Sequence, residues 1–181
     1  MAPTQRGREG GVRTRVRYFV GLIVVITSMA SACGGPHILS NYGSPGAALG
    51  CCRAQPHNGV DFAGGFGAPV LAAAEGRVVR AGTMGPLCGV GVSIRHAFGL
   101  NTVYCHFSTV SVEPGATVKR GQPIGAIGMT GDYGDVTHVH LILGANGEYD
   151  PMKYIVGCYE PGVEYPTEKI VLTYPVVCGN R

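Results

Sequence analysis

Charged side chains are scarce in this chain: Asp, Glu, Lys and Arg make up 14% of its 181 residues. So little charge, set beside 30 glycines, argues against long solvated helices and for many turns between short strands. No stretch combines the length and the 3.6-residue period of a convincing amphipathic helix. A basic patch for nucleic acid is missing as well. Residues 1–32 hold five of the 14 basic residues and one of the 11 acidic ones, so the remainder carries nine against ten, a net charge of −1. That leaves no electrostatic footprint for a polyanion. The longest apolar run, Tyr18–Ala32, falls short of the ~20 residues that a membrane-spanning helix needs. What remains is enough chain for one ordinary domain with a real core.

Arg6, Arg8, Arg13, Arg15 and Arg17 precede that apolar run, and small residues close it. This is the layout of a bacterial secretion signal over residues 1–32. The sequence Ala30-Ser31-Ala32-Cys33 resembles the lipobox of bacterial lipoproteins, although Ala30 stands where Leu is usual. The resemblance implies a lipid on Cys33 and a membrane-anchored protein at the cell envelope, facing the periplasm or the exterior. An ordinary cleaved signal, giving a secreted protein, and an uncleaved anchor are the competing readings, and all three mean export. With Cys33 set aside, Cys51, Cys52, Cys88, Cys105, Cys158 and Cys178 remain. In an oxidising compartment an even set of six reads as disulfides before metal ligands. Cys51 and Cys52, being adjacent, do not readily bond to each other, and the pairing is not legible.

Residues 33–50 are rich in Gly, Pro and Ser without periodicity and read as a tether, with His37 as a solvated linker histidine. From residue 51 to 155 short strands broken by glycine follow: 59–62, 69–73, 76–81, 90–96, 102–106, 124–128 and 138–143. Regular turn signals between them indicate an all-β antiparallel barrel or sandwich with little helix. Gly67-Ala68-Pro69-Val70 is echoed by Gly115-Ala116-Thr117-Val118, each opening a short β unit. Residues 156–181 form a C-terminal β extension, with strand-like runs at 169–174 and 175–178 and two cysteines to tie it back.

Three clusters could carry chemistry. His57-Asn58-Gly59-Val60-Asp61 places an imidazole and a carboxylate four residues apart at the entry to a strand, a common pair of zinc donors. An unrelated surface histidine and acid would look the same. Tyr104-Cys105-His106 ends a strand, with His106 expected on the face of Tyr104 and Cys105 opposite; His106 could be a base or a hydrogen-bonded rim residue. His138-Val139-His140 lies in an apolar run, so alternation puts both imidazoles on one face, roughly 7 Å apart, with Val139 and Leu141 on the other. Alone, this pair has no closed ligand set. Asp132 and Asp135 read as solvated turn residues near the cleft, and His96 as structural.

Taken in order, and with Gly-Ala-Pro-Val-x-Ala-Ala and Val-x-x-Gly-Gln-x-Ile-Gly between them, these motifs resemble the M23 family of zinc metallopeptidases, the lysostaphin-like peptidoglycan endopeptidases. The resemblance covers Pro56–Ile155. It implies the duplicated, lipoyl-like β fold of that family, one zinc ion bound by His57, Asp61 and His140, and His106 and His138 as the catalytic pair. Peptidoglycan would be the partner. One departure concerns the third motif: the family commonly carries Glu two residues after the second histidine, where this chain has Ile142.

The expectation is therefore an exported zinc metalloendopeptidase that hydrolyses peptide bonds in cross-links or stem peptides of peptidoglycan. Its alternative is a non-catalytic scaffold of the same fold that regulates other wall hydrolases. A biotinyl or lipoyl carrier, suggested by the Gly-Gln-x-Ile units and Lys153, is set aside because the lysine follows those units instead of preceding them.

Overall fold

Glycine-punctuated runs of Val, Ile, Leu and Thr leave few options but short extended segments, and ten form among the described residues. The computed structural model describes residues 35–45, 55–132 and 136–179; the signal at 1–32, Cys33, Cys51, Cys52 and Asp135 lie outside them. The strands are β1 (Ile38–Ser40), β2 (Val60–Ala63), β3 (Pro69–Leu71), β4 (Gly76–Gly85), β5 (Gly89–Arg95), β6 (Asn101–Cys105), β7 (Phe107–Val110), β8 (Thr117–Val118), β9 (Pro123–Ile127) and β10 (His138–Leu143). Helix among the described residues is confined to two 3-10 turns, Ala97–Gly99 and Pro151–Lys153.

Every pairing between these strands is antiparallel. One sheet has seven strands in the order β1-β2-β10-β6-β5-β4-β8, and the second has three in the order β3-β9-β7. The two echoed Gly-Ala units become β3 and β8, each an edge strand of a different sheet. The core collects Val60, Phe62, Ile94, Tyr104, Val139, Leu141 and Leu143 from the large sheet, and Val70, Phe107, Ile124 and Ile127 from the small one. Each fully buried Val, Leu, Ile or Phe stabilises the fold by ~1.5–3 kcal/mol. For β10 this fixes the register: a slip by one residue would expose Val139, Leu141 and Leu143 and turn both histidines into the core.

Two stretches differ from their expectation. Residues 38–40, read as part of a tether, form β1 on the edge of the large sheet, paired with β2. A three-residue strand is too short to show a period in the sequence. In the C-terminal segment, the strand-like runs at 169–174 and 175–178 make only isolated bridges, Ile155 with Leu172 and Val70 with Val176. Its disulfide, Cys158–Cys178, closes within the segment and does not reach the barrel. Docking is done instead by buried Leu172 and Val176 and by Arg120. The Arg120 guanidinium donates to the carbonyls of Ala73 (2.7 Å) and Val171 (2.8 Å) and stacks 4.3 Å from the Tyr165 ring.

Candidate metal centre

The register of the large sheet gathers the site. His140 lies opposite Asp61 on β2 and opposite Cys105 on β6, so these three side chains share a face. Leu141, Val60 and Tyr104 lie opposite one another on the other face and enter the core. His57 sits in the loop before β2, its backbone held by the arm: Gly43 N donates to His57 O (2.7 Å) and His57 N to Ser44 O (3.0 Å). Gly59 lets β10 come close, because a Cβ there would sit against the Leu141 carbonyl and 2.7 Å from the His140 ring.

His106 arrives by a route the strand period does not foretell. It was expected on the face of Tyr104, yet Tyr104 is buried in the core and Cys105 is the residue on the site face. The reason is a left-handed backbone at His106 (φ 68°). It is the only residue between β6 of the large sheet and β7 of the small one, and the corner swings its imidazole back beside His138, ring centroids 4.6 Å apart.

Each of the four imidazoles gives one nitrogen to a protein oxygen. His57 Nδ1 donates to Asn41 O (2.9 Å), with Ser40 Oγ at 3.0 Å. His106 Nδ1 donates to Thr130 O (2.7 Å), His138 Nδ1 to Val136 O (2.8 Å), and His140 Nε2 to Asn58 Oδ1 (3.2 Å). A carbonyl oxygen only accepts, so the facing nitrogen carries the proton and the other presents a lone pair. The lone pairs of His57 Nε2 and His140 Nδ1 then face each other at 2.9 Å. Asp61 Oδ1 stands 3.2 Å from the first and 2.6 Å from the second. Two lone pairs and an anion aimed at one point suit a cation among them. Tetrahedral ligands 2.0–2.2 Å from a metal lie ~3.4 Å apart, so the trio needs to open only slightly. His138 Nε2 is buried 3.6 Å from Asp61 Oδ1 and has no hydrogen-bond partner among the described residues.

Comparison with known proteins bears on this geometry. Residues 55–151 match Peptidase family M23. The chain belongs to that family. A relative named peptidoglycan DD-endopeptidase ShyB, from Vibrio cholerae, is 38% identical over 102 residues, which are 56% of this chain and 24% of that protein. The chain thus spans about a quarter of that curated relative. The catalytic domain of lysostaphin from Staphylococcus simulans superposes with a TM-score of 0.59 at 30% identity, covering 66% of this chain and 91% of that domain. A zinc containing peptidase from Vibrio cholerae gives 0.53 at 33% identity, over 62% of this chain and 34% of that one.

In this M23 domain His140, one of the three donors, and His106 line a cleft of about 430 Å³, while His57, Asp61 and His138 are buried beside them. Pro56, Leu87, Ile142 and the Cys88–Cys105 disulfide supply its apolar wall, and Gln55, Asn58 and Asn146 its amides. Burial alone would raise the Asp61 carboxyl, but when a proton in place of a cation sits on His140 Nδ1 or His57 Nε2, the hydrogen bonds and positive charge it supplies hold the carboxyl far below the usual carboxylate range. Burial pushes His106 down to about 4, against the opposing hydrogen bond to Thr130, and the neighbouring His138 and His140 add to the shift. His106 is therefore neutral at pH 7.

All five residues singled out from the sequence, His57, Asp61, His106, His138 and His140, meet here. Asp132 does not: it is exposed on the turn beyond the cleft. His96 is structural, bonded through Nδ1 to Glu75 O (2.7 Å) and lying 2.6 Å from Thr102 Oγ1. Ser40, Asn41, Asn58 and Thr130, which orient the imidazoles, went unassigned. Asn58 sits inside the first motif, and its Oδ1 accepts a hydrogen bond from His140 Nε2. Ser40, Asn41 and Thr130 carry no local signal, since they meet their histidines only through tertiary contacts.

Proposed function

We propose that this chain is an exported zinc metalloendopeptidase acting on peptide bonds of bacterial peptidoglycan. The observation that carries the reading is the convergence of His57 Nε2, Asp61 Oδ1 and His140 Nδ1 beside the imidazoles of His106 and His138. Two nitrogens and a carboxylate oxygen form a donor set of the kind catalytic zinc uses, three protein ligands with a fourth position open. Zinc, when bound, supplies the Lewis acidity that polarises the scissile carbonyl and brings the pKa of a water toward ~7.

The chain's own residues do the rest. His106 keeps its Nδ1 proton on Thr130, so Nε2 is the lone pair that takes a proton during attack and returns it to the leaving amine. His138, its Nδ1 proton on Val136 O and its Nε2 3.6 Å from Asp61 Oδ1, packs against His106 and is the second imidazole of the catalytic pair. The amides of Gln55, Asn58 and Asn146 offer donors and acceptors to a peptide backbone, and the uncharged apolar wall excludes water.

The address follows from residues 1–33. The Arg-rich apolar leader and Cys33 support a lipid-anchored protein at the envelope, and the closed disulfides Cys88–Cys105 and Cys158–Cys178 suit an oxidising compartment. The test is metal analysis of the purified protein together with mass spectrometry of digested muropeptides. Wild type should hold one zinc per chain and release new amine and carboxyl ends, and His140→Ala should lose both properties. A metal-free, inactive wild type would overturn the reading in favour of a non-catalytic scaffold.

A further inference from the structure

The corner at His106 is built from three segments, residues 86–90, 105–107 and 128–132. His106 N donates to Cys88 O (2.9 Å), and His106 O accepts from Gly128 N (2.8 Å). The Thr130 carbonyl takes the Nδ1 proton of His106. The Thr130 hydroxyl donates to Phe107 O (2.9 Å) and accepts from Val90 N (2.9 Å). Asp132 N donates to Pro86 O (2.8 Å), and a Cβ on Gly131 would lie 2.7 Å from Gly89 N. The three segments are interlocked around one imidazole.

Only one covalent bond crosses this knot, and it touches His106 from both sides. Cys105 precedes His106 in the chain; its disulfide partner Cys88 supplies the carbonyl that holds the His106 amide. Backbone at φ 68° is intrinsically unfavourable for a residue with a Cβ, so contacts must hold it there. Without the disulfide, the Leu87–Gly89 turn keeps only hydrogen bonds at the rim of the cleft, where Leu87 is exposed. Such bonds compete with water, whereas a covalent link does not.

We infer that Cys88 is a positioning residue for His106: its bond to Cys105 and its carbonyl together hold the left-handed corner that turns the His106 imidazole into the cleft. The inference rests on reading His106 as a proton-transfer group. It gives the cysteine beside His106 a purpose beyond general stability, and it makes the site complete only once the chain is oxidised.

The experiment compares the full chain with Cys88→Ala/Cys105→Ala and with the control Cys158→Ala/Cys178→Ala, which removes a disulfide remote in sequence from the site. For the first pair kcat on a cross-linked muropeptide falls roughly tenfold or more, as for a catalytic group left slightly out of place. KM and bound zinc stay as in wild type, and the His106 backbone amide loses its protection from hydrogen exchange. The control pair keeps kcat and that protection. Retained kcat with retained protection would overturn the inference, as would loss of zinc in step with kcat. If the double alanine chain does not fold, the control variant is reduced after folding with a dithiol. Two electrons and two protons pass to the Cys88–Cys105 bond, leaving two thiols and the reagent's disulfide, and the same readouts apply. Should wild type cleave nothing, the enzyme reading fails, yet exchange at His106 still decides whether Cys88 holds the corner.

Discussion

The backbone carbonyl of Asn41 accepts the Nδ1 proton of His57 at 2.9 Å. Beside it the Ser40 hydroxyl sits 3.0 Å from the same nitrogen, so the arm before the barrel decides which His57 nitrogen faces the donor trio. Outer partners of this kind tune a metal ligand's orientation and basicity, and their loss typically costs 10–100-fold in affinity. Ser40→Ala removes the hydroxyl and leaves the Asn41 carbonyl. Its zinc affinity, measured by competition with a chromogenic chelator, should fall about tenfold, with the unfolding temperature of the metal-free protein unchanged. An unaltered affinity would mean that the carbonyl alone suffices.

Tyr104 neighbours the site in sequence but faces away from it. Its hydroxyl accepts from Ala73 N (2.9 Å) and is bonded to Thr102 Oγ1 (3.0 Å), wholly inside the core, where burial pushes the phenol up to about 12. Tyr104→Phe leaves the Ala73 amide without its acceptor, at a cost of about 1–3 kcal/mol. Urea denaturation should show that loss while kcat and KM stay as in wild type. A fall in kcat at unchanged stability would place Tyr104 in the chemistry after all.

How much of this was legible beforehand depends on which physics each residue obeys. β10 was readable to the residue because its side chains follow a two-residue period and one face must be apolar. The grouping of His57, Asp61 and His140 came from the family resemblance, because each stands in a short motif that alone closes no ligand set. His106 was placed on the wrong face because a single left-handed residue resets the alternation, and nothing in Tyr104-Cys105-His106-Phe107 announces it. β1 was missed for a different reason: Ile38 to Ser40 become a strand only through pairing with β2, a long-range contact with no local period. The C-terminal segment shows the reverse error, since Val171, Leu172 and Val176 look like strand residues yet are buried as plugs. Arg120 and its carbonyl partners hold that segment without a ladder.

His96 gives a pH dependence of stability. Burial pushes it below its ordinary value, and Arg120 adds to that; the hydrogen bond to the Glu75 carbonyl and the Glu75 carboxylate oppose it. In the unfolded chain this histidine titrates near ~6.5. Below that pH the unfolded state binds a proton that the folded state does not, so stability is whole above about pH 6.5 and erodes as the pH falls toward the lower folded value. His96→Gln removes that contribution. The difference in unfolding free energy between pH 7.5 and pH 5.5 should therefore be smaller in the variant, with the other histidines common to both chains. Equal slopes would show that His96 takes up its proton without penalty.

Gly59 separates the candidate metal site from the rest of the fold in a way that one methyl group can test. A Cβ at this position points at the Leu141 carbonyl and at the His140 ring, 2.7 Å from Cε1 and 2.9 Å from Nε2. Neither neighbour is a flexible chain end. The carbonyl belongs to β10, where Leu141 pairs with Val60 and Tyr104, and the ring is held by Asn58. Gly59→Ala must therefore displace either β10 or the loop that carries His57 and Asn58. Both movements pull His140 Nδ1 away from His57 Nε2, and overpacking of this kind costs about 1–3 kcal/mol. The metal-free variant should unfold at lower urea than wild type, and zinc should raise its unfolding temperature by less than it raises that of wild type. Full zinc stabilisation in Gly59→Ala would mean that the three donors adjust independently of the spacing between β2 and β10.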